Sequence, residues 1–363
     1  MSLPELTRTI DDDFVNTWYE IRPMVSDNIM AARVFFAALE HFGCIKTQVG
    51  GEFVTRSVGY GKKSTQRFTK GTTLTQSEPA LDTMGIWNWR YFAVDVTRSL
   101  VDDQKNAGKF KIKDYVARRI ENARECIIED LETYLMQWGA AYDAPAQING
   151  IKDIVAPYTA QSYLLDESAA NESSSTYATG TSNGGISRVS NTWWRNWVAQ
   201  DSATENTTNK LLATHAPYSI NLVQDMEHIY QTVKANQEEI DFILCNQLLY
   251  EAYMDEARDK QQIVINGFTK KAIDLGFDAA TYHGATISWS SAMAQKTTYN
   301  PYPEMLFLNM SHIEFVKDPN YWMSMTNWKE TTNQLERVAY IIGVSTGLLT
   351  DQPRRHCSAT WAS

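Results

Sequence analysis

Residues 50–63 read GGEFVTRSVGYGKK: a Gly50-Gly51 break, then Phe53, Thr55 and Ser57 alternating with Val54, Arg56 and Val58, then Gly59-Tyr60-Gly61 as turn chemistry. The two-residue period predicts a strand, and the glycines at either end predict two strands projecting as a hairpin within 46–80, with a polar tip between them. From Lys46 to Lys70 the bases Lys46, Arg56, Lys62, Lys63, Arg67 and Lys70 meet one acid, Glu52, so the projection carries a formal charge of +5. A lone two-stranded ribbon is marginal in water, so its own domain or a neighbouring copy must hold it. An ordinary surface hairpin has the same pattern, and the segments around it decide.

Downstream, Ile112, Tyr115, Val116, Ile120, Ala123, Ile127, Leu131, Tyr134, Leu135 and Trp138 recur at three- and four-residue steps, and Gly139 follows as a stop. That predicts one helix over about 112–138, a rod of roughly 40 Å at ~1.5 Å per residue. Its charges oppose the helix dipole, with Lys109, Lys111, Lys113, Arg118 and Arg119 toward the start and Glu125, Glu129, Asp130 and Glu132 toward the end. Either these charges form a solvated face, or partners outside the helix meet them.

Upstream, residues 1–43 hold seven acids, Asp11, Asp12 and Asp13 among them, against Arg8, Arg22 and Arg33, for a formal charge of −4. Asp27 can cap a helix running to Phe42, with Ile29, Met30, Val34, Phe35, Leu39 and Phe42 on one face and Gly43 at its end. An acidic arm and a basic hairpin suit head-to-tail contact between copies. The proposed contact residues are Arg56, Lys62, Lys63, Arg67 and Lys70 on one side and Asp11, Asp12 and Asp13 on the other.

After the long helix come an Asn149-Gly150 turn, a Ser-, Thr-, Asn- and Gly-rich stretch at 166–187 that reads as a surface loop, and Trp193-Trp194-Arg195-Asn196-Trp197. Three tryptophans within five residues fit a core or interface anchor better than a base-stacking platform. Leu222, Met226, Ile229, Tyr230 and Val233 mark a helix, Ile240–Leu244 a buried strand, Leu248–Ala257 a helix and Met305–Leu308 a short strand. Strands alternating with helices predict a compact α/β unit.

With 363 residues, 43% of them hydrophobic, the chain can form more than one packed unit. Cys44, Cys126, Cys245 and Cys357 stand singly, against a disulfide framework or zinc site and in keeping with a reducing cytoplasm. The start, MSLPELTRTIDDDF, lacks the basic and apolar regions of a signal peptide, and no stretch reaches the ~18 apolar residues of a membrane span. A net charge of −10 leaves only weak, general contact with nucleic acid.

Catalytic motifs fail on context. Gly180-Thr181-Ser182-Asn183-Gly184 matches G-x-S-x-G, but a nucleophile elbow needs a hydrophobic strand before the serine and a helix after it, and SSSTYAT and GISRVS supply neither. Gly61-Lys62 resembles the end of a phosphate loop, yet Arg56 replaces the first glycine and Lys63 the Ser or Thr. The six histidines have no i, i+4 pair, so no metal and no cofactor are expected.

In order, Asn28-Ile29 through Leu39 to Gly43, Gly50-Gly51-Glu52-Phe53-Val54 before Tyr60, YFAVDVTRSLVDD, Ile148-Asn149-Gly150-Ile151, GGISR, WWRN, DFILCNQLLYEAY and Gln352-Pro353-Arg354-Arg355-His356 resemble the major capsid proteins of tailed double-stranded DNA bacteriophages. The resemblance implies an α+β chain of the Hong Kong 97-like fold: an N-terminal arm at 1–43, an extended loop at 44–80, a peripheral domain with its spine helix at 81–139, an axial domain at 140–312 and a return to the peripheral domain at 313–363. It also implies a non-enzymatic subunit forming pentamers and hexamers of an icosahedral shell, assembled in the host cytoplasm and retained in the virion. The implied partners are further copies of the chain, a portal, in some members a decoration protein, and packaged double-stranded DNA touched without specificity; no membrane is implied. The chain begins at the arm, which implies a separate scaffold protein. Some members of that family crosslink a loop lysine to a neighbour's asparagine; Lys62, Lys63 and Lys70 lie in the matching loop, but the sequence does not identify the Asn and Glu partners, so no crosslink is expected. An encapsulin-like compartment of the same fold is the nearest alternative, and a Ser182-dependent hydrolase a distant one.

Overall fold

The computed structural model describes residues 34–63, 65–74, 78, 80–99, 101, 104, 115–136, 146–156, 163–164, 182–188, 190–200, 222–234, 239–260, 279–293, 304–330 and 336–361. In chain order the elements begin with α1 (Val34–His41), β1 (Ile45–Thr47), β2 (Phe53–Gly59), β3 (Asp82–Asn88), β4 (Arg90–Ser99) and α2 (Tyr115–Met136). There follow α3 (Ile151–Ile154), β5 (Tyr163–Leu164), β6 (Ser182–Asn183), β7 (Ile186–Ser187), β8 (Trp197–Gln200), α4 (Leu222–Lys234), β9 (Phe242–Cys245) and α5 (Gln247–Lys260). The chain continues through β10 (Ala279–Tyr282), β11 (Ala285–Trp289), β12 (Glu304–Leu308), β13 (Ile313–Lys317), β14 (Ser324–Met325), β15 (Lys329–Glu330), β16 (Glu336–Thr350) and β17 (Cys357–Thr360). Among the described residues two compact units separate, one of Ala93–Glu129 and Met323–Ile342, the other of Ala32–Phe92, Asp130–Trp322 and Gly343–Ser363.

The larger unit is built on a seven-stranded mixed sheet of order β10-β11-β9-β12-β17-β8-β5. Its central strands read as continuous apolar runs because both faces are covered. Ile243, Cys245, Met305 and Phe307 point into a core with Met226, Ile229 and Tyr230 of α4 and Leu249 and Tyr253 of α5. Their neighbours Phe242, Leu244, Leu306 and Leu308 point the other way, onto Phe35 and Leu39 of α1, Leu131 and Leu135 of α2, and Ile151 and Ile154 of α3. The alternating strands β9 and β12 thus divide two cores.

In the same unit β13 pairs antiparallel with the end of β16 and parallel with β1. The β13–β16 register slips between Val316 and Lys317, and there Gly347 takes φ +77. A Cβ at Gly347 would lie 2.4 Å from the Asn149 carbonyl oxygen, so only glycine admits this approach. In the smaller unit, the first part of β16 pairs with β14 and β15, and Arg98 lies over the Trp328 ring at 5.8 Å.

The helices and strands read from sequence at 222–233, 240–244, 248–257 and 305–308 correspond to α4, β9, α5 and β12, with ends moved by a few residues. Four readings change. The long helix buries Ala123, Ile127, Leu131 and Leu135 as its period predicts, but Tyr134 is exposed, and Glu132 and Met136, outside the predicted stripe, are buried. Asn149-Gly150 is no free turn: Asn149 bridges to Gly347, and Gly150 caps α3, its N–H donating to Asp153 Oδ2 at 2.8 Å. Gly59-Tyr60-Gly61 does not turn β2 back; the returning strand is β3, after a connection over 60–81. Within the expected surface loop at 166–187, residues 182–187 form a hairpin with Asn183 and Ile186 buried. Residues 165–181, Ile112 and Trp138 lie outside the described residues.

Candidate assembly surface

The two strands of the ribbon, β2 and β3, pair in full antiparallel register from Phe53–Asn88 to Gly59–Asp82. Paired residues share a face, and the period of two gives the ribbon two unlike sides. Val54, Arg56 and Val58 with Thr83, Gly85 and Trp87 form the inner side, where Val54, Val58 and Trp87 are 0, 5 and 2% exposed. Phe53, Thr55 and Ser57 with Met84, Ile86 and Asn88 form the outer side, where Phe53, Met84 and Ile86 remain 41, 58 and 44% exposed. Phe68 and Leu74 in the 60–81 connection are also exposed. Apolar surface gathered on one element marks a contact site more than scattered exposure does.

The predicted contact residues divide. Lys62, Lys63, Arg67 and Lys70 are all exposed on the connection. Arg56 is engaged within the chain: its Nη2 and Nε lie 2.7 and 2.9 Å from Glu314 Oε2 on β13. Asp11, Asp12 and Asp13 lie outside the described residues.

The 182–187 hairpin, read from the sequence as loop, and Trp193-Trp194, read as a core or interface anchor, form the base on which the ribbon rests. Trp87 Nε1 donates to Asn183 Oδ1 at 3.0 Å, and the Ile86 N–H donates to the Gly184 carbonyl at 2.8 Å. Tyr60 stacks on Trp193 at 4.6 Å. Trp89 Nε1 donates to the Gly51 carbonyl at 2.9 Å, tying the end of β3 to the start of β2. The tryptophans at 193–197 serve the core as expected: Trp194 is 1% exposed and its Nε1 donates to the Asn183 carbonyl at 3.0 Å. A run such as Trp87-Asn88-Trp89 in a short ribbon is the signal that could have pointed to this anchoring.

Ser182 belongs to that base. Ser182 and Asn183 pair with Ser187 and Ile186 around Gly184-Gly185, a two-residue turn, so a hairpin follows the serine where a nucleophile elbow would have a helix. Arg188 and Arg195, from the GGISR and WWRN stretches, are buried and structural. Arg188 Nη2 donates to the carbonyls of Asp153 and Ile154 at 2.7 and 2.6 Å, satisfying the end of α3. Burial lowers its pKa to about 10, against the pull of Asp153, so the guanidinium stays charged at neutral pH. Among the described residues no group of three or more His, Cys, Asp or Glu side chains is placed to hold a metal, and no helix is long and apolar enough to cross a membrane.

No protein-family model matches the chain, and no curated protein matches it in sequence. Solved structures do match in fold. A subunit of the cyanophage A-1(L) capsid superimposes with a TM-score of 0.61 at 11% identity, covering 93% of this chain and 94% of that one. The capsid of the native GTA particle gives 0.52 at 12% identity over 95% and 96%. The holo encapsulin complex of Synechococcus elongatus gives 0.53 at 10% identity over 99% and 96%. The chain therefore has the α+β fold of the Hong Kong 97-like shell proteins over nearly its whole length.

Proposed function

We propose that this chain is the major capsid protein of a tailed double-stranded DNA bacteriophage, a structural subunit that assembles as pentamers and hexamers into the icosahedral head around the genome. The observation that carries the reading is the ribbon: an exposed apolar outer face and a cationic connection on a subunit with the fold of capsid proteins. Such a surface is stable in water once a second copy covers it. In this reading 1–43 is the arm, 44–80 the extended loop, 81–139 and 313–363 the peripheral domain and 140–312 the axial domain. Lys62, Lys63, Arg67 and Lys70 meet the acids Asp11, Asp12 and Asp13 of a neighbour, and no covalent crosslink forms. Assembly in the host cytoplasm uses a separate scaffold protein and a portal, with room for a decoration protein outside. A net charge of −10 suits an inner surface that holds packaged DNA without gripping it. The subunit has no catalytic role.

Light scattering with electron microscopy, with and without co-expressed scaffold, tests the proposal. Closed shells or capsomers support it, and a monomer or dimer under every condition sinks it. A second reading, a protein compartment, is favoured by the encapsulin match, which is comparable in TM-score to the GTA match. Shell contents separate the two, since a viral head holds DNA and a compartment holds protein. Hydrolytic turnover abolished by Ser182→Ala in a small, soluble species would revive the enzyme alternative.

A further inference from the structure

The inner face of the ribbon rests on a mount that is itself built with care. The Trp87 indole lies against two glycines: a Cβ at Gly85 would come within 2.5 Å of the ring, and one at Gly184 within 2.6 Å. Only residues without a side chain leave that space. Gly184 and Gly185, at φ +60 and +74, close β6–β7 as a type I′ turn. Two residue pairs cannot hold such a hairpin alone, and it is held from behind. Asn183, 5% exposed, accepts Trp87 Nε1 on its side chain and Trp194 Nε1 on its carbonyl, both at 3.0 Å. The same residue thus joins the ribbon to the buried Trp194.

A second contact stands at the other end of the ladder. Tyr60, one residue beyond the last pair, stacks on Trp193 with an interplanar angle of 9°. Trp193 and Trp194 are consecutive in one 3-10 turn, Thr192–Trp194, so a single element positions both contacts. Trp87 and Gly59 are separated by about five residue steps along the ladder, roughly 16 Å at ~3.3 Å per residue. One contact would leave a pivot, whereas two at that separation fix a direction. The Arg56–Glu314 pair adds a third hold on the same face.

The geometry points to β6–β7 and the Trp193-Trp194 turn as a cradle that fixes the direction in which the ribbon and its cationic connection leave the subunit. The cradle thereby sets the angle at which a second copy is met. This rests on the shell reading above for its consequence, though not for the docking itself. The G-x-S-x-G stretch then has a mechanical role: its second glycine makes room for Trp87, and its asparagine holds the indole.

Two variants of the full-length chain test this. Gly184→Ala places a Cβ against the indole at a positive φ, and Trp87→Phe removes the Nε1 donor while keeping an aromatic ring. Hydrogen exchange is measured on the amides of 53–59 and 82–88, with β9 and α4 as internal references, and assembly diameters are measured by electron microscopy. The expected result is ribbon exchange faster by about tenfold or more with the references unchanged, together with assemblies of mixed diameter. Unchanged ribbon exchange in both variants overturns the cradle. Faster exchange with the wild-type diameter retained overturns its control of assembly angle. If Gly184→Ala does not fold, Trp87→Phe gives the answer by the same two readouts. A wild-type chain that never assembles defeats the shell reading and the angle with it, while ribbon exchange still decides whether the ribbon is docked.

Discussion

Glu132, near the end of α2, accepts the backbone N–H of Phe35, in the first turn of α1, at 3.0 Å on Oε1, and that of Phe36 at 2.9 Å on Oε2. Ser290 Oγ adds a third hydrogen bond at 3.2 Å. A carboxylate near the C-terminal end of its own helix opposes that helix's dipole, but here it meets the positive end of another helix and satisfies two otherwise orphaned donors. Partners outside the helix thus account for one of the charges the sequence reading found misplaced, and they lie within the same subunit.

The buried seat makes stability depend on pH. Desolvation raises the Glu132 pKa to about 7 from 4.5, against the hydrogen bonds from Phe35, Phe36 and Ser290. The folded state then binds the proton more tightly than the unfolded one, so this group's contribution is full below pH ~4.5 and is lost as pH rises through about 7. The shift corresponds to about 3 kcal/mol. Urea unfolding at pH 4.5–8 is expected to show a smaller decline in Glu132→Gln than in the wild type; parallel curves would refute the assignment.

Gly347→Ala is expected to destabilise the larger unit by about 2 kcal/mol or more, because it combines a left-handed φ with a Cβ at 2.4 Å from the Asn149 carbonyl oxygen. The loss should be seen as a lower urea midpoint at unchanged slope. A midpoint within error of the wild type would mean that the Asn149 segment moves aside at little cost.

The regular elements were legible because their signals are local. Leu222, Met226, Ile229, Tyr230 and Val233 keep the helical period and all five are buried, and the alternation of β2 separates Val54 and Val58 from Phe53 and Ser57 as read. What escaped depends on long-range closure. Nothing near Glu132 in the sequence reveals Phe35 or Ser290, so its burial looked like a charge on a wet face, and Tyr134 took its place in the predicted stripe. The return of the ribbon at Asp82 lies beyond a connection that no short-range turn rule reaches. Asn183-Gly184-Gly185 carried its hairpin signal in full view, but the polar stretch before it made a loop the simpler reading.

The Arg56–Glu314 pair is about one-third exposed on each side, at 32 and 30%. Solvent screening is expected to hold its coupling to about 0.2–1 kcal/mol in a double-mutant cycle of Arg56→Ala and Glu314→Ala. A value in that range would leave most of the docking to the Trp87–Asn183 and Tyr60–Trp193 contacts. A coupling above ~2 kcal/mol would make the ion pair the ribbon's main hold and reduce Trp87 to a secondary one.

Reversing the charge of the connection tests the proposed contact between copies. Lys62, Lys63, Arg67 and Lys70 are exposed, so Glu at all four should change the folded subunit's stability by only about 0.5 kcal/mol per site. Assembly should respond far more, because the same contact recurs at every copy and attraction turns into repulsion. Under conditions where the wild type forms large particles by light scattering, the reversed chain is expected to remain as small species. High salt should act in the same direction on the wild type, since screening shortens from about 8 Å at 0.15 M to about 3 Å at 1 M ionic strength. Combining the reversal with Asp11→Lys, Asp12→Lys and Asp13→Lys should restore large particles if these acids are the partners. Assembly that survives the reversal would leave the exposed Phe53, Met84 and Ile86 face as the source of the contact. Assembly lost to the reversal and not restored by the triple lysine chain would place the acidic partner elsewhere on the neighbouring copy.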